Sequence, residues 1–354
     1  MPTLRPAARA ALAAGDVIVA HPLALTPERR LDERRQRALT RYYRAAGAMG
    51  VAVGVHTTQF AIRRPGVDLL RPVLRLARTT LEAEAGGERL LRVAGVCGPR
   101  EQALAEAGLA ADEGYDLALV SLAGVGDDEA DLVAHLRAVG EILPVFAFYL
   151  QPAVGGRPLT GAFWRAAADL RCVAAVKLAP FDRYATLAAV RGVLLSERRD
   201  EVALYTGNDD HIVWDLMTTF ELEAGGGVRT ARFAGGLLGQ WAVGTRAAVD
   251  LWRRTRRARD GGDGAEIRAL LAQGVRLTDL NAALFDPQHA FRGSIPGLSE
   301  VLRRQGLMAG TWCVDPEEVL SPGQAAEIDR VTKAYPELLD GPFIEAGRQA
   351  WLEP

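Results

Sequence analysis

Short runs of apolar residues alternate along the chain with longer segments rich in alanine, leucine and arginine. Most of the short runs are continuous rather than alternating, which is typical of parallel strands that are covered on both faces. Eight of them predict strands, at positions 17–20, 51–56, 90–97, 117–122, 145–150, 173–178, 202–206 and 230–238. The longer segments predict helices, for example at 27–46, 100–113, 129–142 and 184–196.

This repetition of strand and helix predicts an α/β fold. Eight strands, each followed by a helix, indicate a (β/α)8 TIM barrel, with an open doubly wound parallel sheet as the alternative. The pattern changes after an arginine-rich segment at 253–259 and the glycines at 261–264, beyond which no run has the character of a strand. We therefore predict a barrel over 1–260 that carries the active site, and a C-terminal helical region over 261–354.

Composition excludes several classes of protein. The 354 residues include 42 Lys+Arg and 44 Asp+Glu, so the net charge of −2 provides no strong positive field for nucleic acid. The cysteines Cys97, Cys172 and Cys313 have neither disulfide nor zinc spacing. The uncharged stretch 142–156 contains two prolines and is too short to cross a bilayer. We expect a cytoplasmic protein with no secretory signal and no membrane or nucleic-acid partner.

Lysine is nearly absent from the chain. Of the 42 basic residues, only Lys177 and Lys333 are lysines. A guanidinium stays protonated, whereas a desolvated amine can lose its proton and attack a carbonyl. Lys177 lies near the end of the sixth predicted strand, where barrel enzymes carry their catalytic groups. We therefore predict that Lys177 is a nucleophile, with an ion pair at the barrel rim as the alternative, and that Lys333 is solvated on a late helix.

Candidate groups also follow the first, second and fifth predicted strands. Tyr149 could carry the protons that an amine needs when it attacks a carbonyl, or it could be a packed aromatic residue. Thr57 and Thr58 could hold a carboxylate or cap a helix. His21 and His56 could bind a metal, although no carboxylate lies near them at ligand spacing.

The turns after the seventh and eighth predicted strands carry acidic residues and glycines. Gly207, Asp209 and Asp210 follow the seventh strand, where the carboxylates could bind substrate hydroxyls or cap the next helix. Gly236 and Gly239 lie at the end of the eighth, where glycines let the backbone approach a ligand closely.

This order of motifs resembles the dihydrodipicolinate synthase / N-acetylneuraminate lyase family of class I aldolases. The motifs are Thr-Thr after strand two, Tyr after five, Lys after six, Gly-x-Asp after seven and Gly-x-x-Gly after eight. Tyr149 and Lys177 are 28 residues apart, as in that family, and segment 149–160 resembles the lyase branch in particular. The resemblance covers most of the chain.

The resemblance implies an activity and a site. Lys177 would form a Schiff base with a 2-oxo acid such as pyruvate, in a carbon–carbon or carbon–oxygen lyase. Tyr149 would be the proton shuttle, and Thr57 and Thr58 would bind the carboxylate of the 2-oxo acid, with Thr58 counted among the catalytic residues. No metal or organic cofactor would be needed, and the protein would be a homo-oligomer, a tetramer or a dimer.

The sequence departs from the family pattern at three places. His56 and Gln59 replace the glycines that flank the Thr-Thr pair, and Gln240 and Trp241 follow strand eight, so we expect a pocket shaped for a different substrate. The loop after strand four, at 121–126, contains no tyrosine, which argues against lysine biosynthesis. Asp209 and Asp210 favour a polyol substrate, whereas Trp241 favours an aromatic substrate. A catalytically silent barrel that binds a 2-oxo acid, as a sensor or assembly component, and a metal-dependent aldolase remain the alternatives.

Overall fold

Eight parallel strands form a closed barrel in the computed structural model, which describes residues 2–84, 90–126 and 128–353. The prediction of a (β/α)8 barrel is confirmed, and the open-sheet alternative is wrong. Around the barrel the strands follow the order β1-β10-β7-β6-β5-β4-β3-β2. The strands are β1 Val17–Ala20, β2 Gly50–Val53, β3 Leu91–Val96, β4 Leu117–Val120, β5 Val145–Leu150, β6 Val173–Ala179, β7 Ala203–Thr206, β8 Phe220–Glu223, β9 Val228–Ala231 and β10 Phe233–Leu238.

Helices separate the strands and form the C-terminal part of the chain. The bounds are α1 Pro6–Ala14, α2 Glu33–Ala45, α3 Leu70–Ala83, α4 Arg100–Asp112, α5 Glu129–Gly140, α6 Gly161–Asp169, α7 Arg183–Leu195, α8 Ile212–Met217, α9 Thr245–Gly261, α10 Gly264–Phe285, α11 Ser294–Arg304, α12 Gln324–Ala334 and α13 Gly341–Trp351. Residues 261–353 contain helices and no strand.

The elements group into two compact units. The first comprises Met1–Asp16 and Leu91–Leu237, and the second comprises Val17–Leu90 and Leu238–Pro354. A boundary at position 260 between a barrel and a helical region stays a prediction.

Side-chain caps begin several of the helices. Asp32, Asp128, Thr160, Asp182 and Asp263 each accept a hydrogen bond from a backbone N–H in the first turn of α2, α5, α6, α7 and α10 respectively. These caps satisfy N–H groups that have no partner within the helix, so helix starts follow local sequence signals. The predicted helix at 27–46 accordingly begins only after its cap, at Glu33.

A hairpin precedes the last barrel strand and corrects the predicted strand at 230–238. Strands β8 and β9 pair antiparallel, with Phe220 opposite Ala231, and β10 begins only at Phe233. Both hairpin strands alternate between more and less exposed positions, as expected of a sheet with one face toward solvent. The hairpin follows α8, a helix of six residues.

His135 on α5 makes the stability of the fold depend on pH. It is 1% exposed, and neither ring nitrogen has a hydrogen-bond partner among the described residues. Burial lowers the pKa of His135, and the charge of Arg100 adds to this. The pKa of a histidine in the unfolded chain is about 6.5. The stability contributed by the neutral ring of His135 is therefore present above that pH and is lost as the pH falls below it.

Replacing His135 by leucine is expected to raise the free energy of unfolding by about 1 kcal/mol at pH 8, because no polar group is then buried without a partner. The increase in the free energy of unfolding should be larger at pH 5, because only the wild type must then bury a protonated imidazole or release its proton on folding. Urea denaturation at the two pH values measures both effects. The control His135→Gln removes the titration but keeps a polar group. A leucine variant with the pH dependence of the wild type contradicts this account.

Candidate active site

Lys177 lies inside the barrel, near the carboxyl end of β6. Its Cα pairs with that of Phe148 on β5 and with that of Tyr205 on β7, and the residue is 8% exposed. The amine Nζ lies 4.4 Å from the centroid of the Phe148 ring, a cation–π contact. The apolar run in β6 therefore carries one amine into a largely apolar surrounding.

Gly207 makes room for this lysine. Its N–H donates to the carbonyl of Leu178 at 2.7 Å, which brings the backbone after β7 against β6. A Cβ atom at position 207 would lie 2.4 Å from Cε of Lys177, closer than two carbon atoms can approach. A larger residue at position 207 would therefore displace the Lys177 side chain from the position it has here.

The electrostatic surroundings make the Lys177 amine reactive. Burial lowers the pKa of Lys177 to about 8, while the negative charge of Asp209 acts in the opposite direction. Among the described residues, Nζ has no hydrogen-bond or ion-pair partner. At pH 7 about a tenth of the amine is then unprotonated and available as a nucleophile, far more than for an ordinary lysine.

The structure does not bring the Tyr149 hydroxyl to the Lys177 amine, contrary to the expectation of a shared proton-transfer pair. Successive residues of a strand point to opposite faces, and it is Phe148 that faces the lysine. The Tyr149 ring packs 5.2 Å from that of Trp164 on α6, and its hydroxyl accepts the N–H of Leu159 at 3.1 Å. Burial raises the pKa of Tyr149. The role of Tyr149 as the proton shuttle stays a prediction.

The two predicted carboxylates of the turn after β7 differ in exposure. Asp209 is half-buried and its charge acts on Lys177, whereas Asp210 is exposed. Helix α8 begins after His211 without a side-chain cap, so capping of α8 is not their role.

A buried carboxylate that the sequence analysis missed lies directly behind this turn. Asp215 is 1% exposed, and one of its oxygens accepts from the Thr206 hydroxyl at 2.6 Å and from the Asn208 amide at 2.9 Å. The other oxygen accepts from the Arg183 guanidinium at 2.5 Å and lies 3.3 Å from Nδ1 of His211. Burial opposes ionisation, but the contacts with His211 and Arg183 together lower the pKa of Asp215. No sequence motif marks this cluster, because its members come from three different elements.

The Thr-Thr pair lies in a 3₁₀ helix, His56–Thr58, that follows β2 in the second unit. The Thr57 and Thr58 hydroxyls both donate to the carbonyl of His21, at 3.2 and 2.7 Å, and the Thr58 oxygen accepts the N–H of Gly54 at 2.9 Å. These bonds tie the end of β2 to the end of β1. His56 is half-buried beside Phe60. Carboxylate binding by these residues stays a prediction.

The glycines of the eighth barrel strand have different surroundings. Gly236 lies within β10, where its Cα pairs with that of Thr206, rather than in the loop that follows. A Cβ atom at Gly239 would lie 3.3 Å from the Phe285 ring and from the Thr57 methyl group. Gln240 is buried and begins a 3₁₀ helix, Gln240–Ala242.

His21 is a core residue with protein partners at both ring nitrogens. Nε2 lies 2.9 Å from the Thr40 hydroxyl, and Nδ1 lies 3.0 Å from the Gln36 amide and 2.8 Å from the Pro22 carbonyl. Burial lowers the pKa of His21 to about 4. Within the ranges that the structure describes, no three His, Cys, Asp or Glu side chains are grouped as metal ligands would be. The metal-dependent alternative therefore has no ligand set in this part of the chain.

None of the helices in the described ranges has the length and apolar character needed to cross a membrane.

Comparison with known proteins rests on structure alone. No family model matches the sequence, and no curated protein matches it. Solved structures do match, over nearly their whole length. Dihydrodipicolinate synthase from Oceanobacillus iheyensis is similar with a TM-score of 0.71 at 17% identity, over 92% of this chain and 98% of that chain.

Two further similar structures contain pyruvate. YagE, a prophage protein of the dihydrodipicolinic acid synthase family from E. coli K12, matches with a TM-score of 0.69 at 18% identity, over 90% of this chain and 98% of that chain. N-acetylneuraminate lyase from Fusobacterium nucleatum matches with a TM-score of 0.71 at 13% identity, over 92% and 98%. The fold of this chain is therefore the one shared by the solved dihydrodipicolinate synthases and N-acetylneuraminate lyases.

Proposed function

We propose that this protein is a class I lyase that forms a Schiff base between Lys177 and a 2-oxo acid of the pyruvate type. The observation that carries the proposal is the Lys177 amine itself: buried at the carboxyl end of a barrel strand, with a pKa lowered to about 8, in a chain with one other lysine. The pyruvate complexes of two proteins with the same fold support the choice of substrate class.

The chemistry follows from the state of the amine. Unprotonated Lys177 attacks the ketone carbon of the acid, and loss of water from the carbinolamine leaves a protonated iminium. The iminium draws electrons from the adjacent carbon, so a bond at that carbon can form or break. Aldol cleavage, aldol condensation and dehydration all use this electron sink.

The residues near the site restrict the class of substrate that we propose. The loop at 121–126 contains no tyrosine, so we propose a reaction outside lysine biosynthesis. Asp209 and Asp210 favour a partner with hydroxyl groups. We further expect a homo-oligomer from the resemblance, and a cytoplasmic protein from the number and spacing of the cysteines. A barrel that binds the acid without turnover is the second candidate, because the Tyr149 phenol faces away from the amine.

Borohydride trapping tests the proposal. The protein is incubated with pyruvate and other 2-oxo acids, reduced, and mapped by peptide mass spectrometry. We expect a reduced adduct on Lys177, formed faster as the pH rises through about 8, where the amine loses its proton. Trapping without turnover of any aldol substrate would favour the silent barrel. A folded protein without an adduct from any acid would refute the Schiff-base mechanism.

A further inference from the structure

We propose that Asp209, rather than a tyrosine, carries protons to and from the Lys177 amine, and that the buried Asp215 positions it. This inference rests on the proposed role of Lys177. Asp215 touches neither the amine nor a substrate, so we regard it as a positioning residue that acts through the turn after β7.

The neighbours of Lys177 on the adjacent strands offer no proton carrier. Phe148 presents a hydrocarbon ring, and the Tyr205 hydroxyl donates to the carbonyl of Leu12 at 2.8 Å. Tyr149 is directed to α6 on the opposite face of β5. Acid–base chemistry at the amine therefore needs a group from beyond these strands.

The turn after β7 supplies such a group. Its first residue, Gly207, has its backbone packed against Cε of Lys177, and Asp209 follows two residues later. Asp209 is half-buried, and its negative charge raises the pKa of Lys177 against the effect of burial. A carboxylate at this place can accept a proton from the amine through one water.

Asn208, which lies between Gly207 and Asp209, holds the turn after β7 from both sides. The Asn208 side-chain oxygen accepts the N–H of Phe181 from the loop after β6, at 3.1 Å, and its amide donates to Asp215 at 2.9 Å. Asp215 is in turn held by Thr206 and Arg183. Asn208 is buried and precedes Asp209 directly, so this network restricts where the Asp209 carboxylate can lie.

One carboxylate is sufficient for the proton transfers that form the Schiff base. Asp209 takes a proton from the Lys177 ammonium, and the neutral amine attacks the carbonyl. One further proton passes from the new C–N nitrogen to the oxygen, which forms the carbinolamine hydroxyl. The protonated Asp209 then returns its proton to that hydroxyl, which leaves as water, so an ammonium and a ketone become an iminium and water with Asp209 again ionised.

Two variants test the proton carrier. In Asp209→Asn we expect the rate of borohydride-trapped pyruvate adduct on Lys177 to fall about 100-fold, the lower range for general acid–base catalysis. Its pH midpoint should also move below that of the wild type, because the charge that raises the lysine pKa is gone. In Asp209→Ala, added formate should restore part of the rate. The matched control is Asp200→Asn, which removes an exposed carboxylate of the same unit and should trap at the wild-type rate.

The outcomes separate this inference from the proposed function. A wild type that forms no adduct refutes both. Trapping of Asp209→Asn at the wild-type rate, with Lys177 labelled, overturns the proton carrier alone and leaves the Schiff base intact. Failure of formate to restore Asp209→Ala also counts against it.

The positioning role has its own test. Thr206→Val removes the hydrogen bond to Asp215 and the acceptor of the Asn208 N–H, and keeps the size of the side chain. We expect about a tenfold slower adduct formation and a lower pH midpoint, because Asp209 then acts less strongly on the amine. Thr206→Ser should recover both. A fall in thermal stability with an unchanged pH profile would show that the network is only structural.

Discussion

Replacing Lys177 by arginine is expected to abolish both the pyruvate adduct and turnover, a loss of at least about 10⁴-fold, which corresponds to about 5.5 kcal/mol of barrier. The guanidinium stays protonated at any pH at which the protein is folded, so it has no lone pair to attack a carbonyl. The positive charge beside Asp209 is retained, so the expected loss does not depend on a changed net charge.

Lys333→Arg provides the control for this variant. Lys333 is exposed on α12, and its replacement changes neither the buried charge nor the barrel interior. Adduct mass and aldol turnover are measured for both variants, with circular dichroism to confirm the fold. Turnover by Lys177→Arg at the wild-type rate would contradict any mechanism that uses this amine, and so would an adduct mapped to Lys333.

Asp340→Ala is expected to lower the free energy of unfolding by about 3 kcal/mol. Asp340 caps α9 from a distant part of the chain: its carboxylate accepts the N–H groups of Arg246 and Ala247 at 2.6 and 2.8 Å. The Asp340 carboxylate also accepts a hydrogen bond from the Tyr42 hydroxyl at 2.7 Å. The Tyr42 oxygen in turn accepts the N–H of Thr245 at 2.9 Å. Alanine would remove the acceptor of the part-buried Arg246 and Ala247 N–H groups and of the buried Tyr42 hydroxyl.

Urea denaturation of Asp340→Ala and Asp340→Asn measures this effect. The asparagine keeps one acceptor and tolerates the left-handed backbone at φ 55°. Asp340→Asn should therefore lower the free energy of unfolding by roughly half as much as Asp340→Ala. Asp250→Ala removes an exposed carboxylate on the same helix, 54% exposed in its side chain, and should change stability by less than about 0.5 kcal/mol. Equal losses for Asp340→Ala and Asp250→Ala would show that the cap contributes little.

Several features of this protein follow from local signals in the sequence. Continuous apolar runs predict parallel strands because both faces of such strands are covered, and the barrel confirms them. Helix starts follow Asp and Thr caps because these side chains satisfy N–H groups of the same turn. Lys177 stands out by composition alone, since an amine at a strand end is conspicuous where nearly every other cation is arginine.

Other features depend on contacts that no local pattern records. The predicted strand at 230–238 joined the end of β9 to β10, and β8 was not predicted, because antiparallel pairing in a hairpin depends on a partner strand and not on the apolar content of one run. Asp340 and Tyr42 are 298 residues apart, and nothing near either one predicts the bond between them.

By itself, the sequence determined the order of strands and helices, the barrel class and the single buried amine, because each depends on residue type and short-range periodicity. Only the tertiary structure decided which groups surround that amine. Side chains alternate faces along a strand, so one residue of register directs Phe148 to Lys177 and Tyr149 to α6. The Asp215 network likewise arises only when β7, α7 and α8 come together, because hydrogen-bond geometry between elements depends on packing and not on sequence spacing.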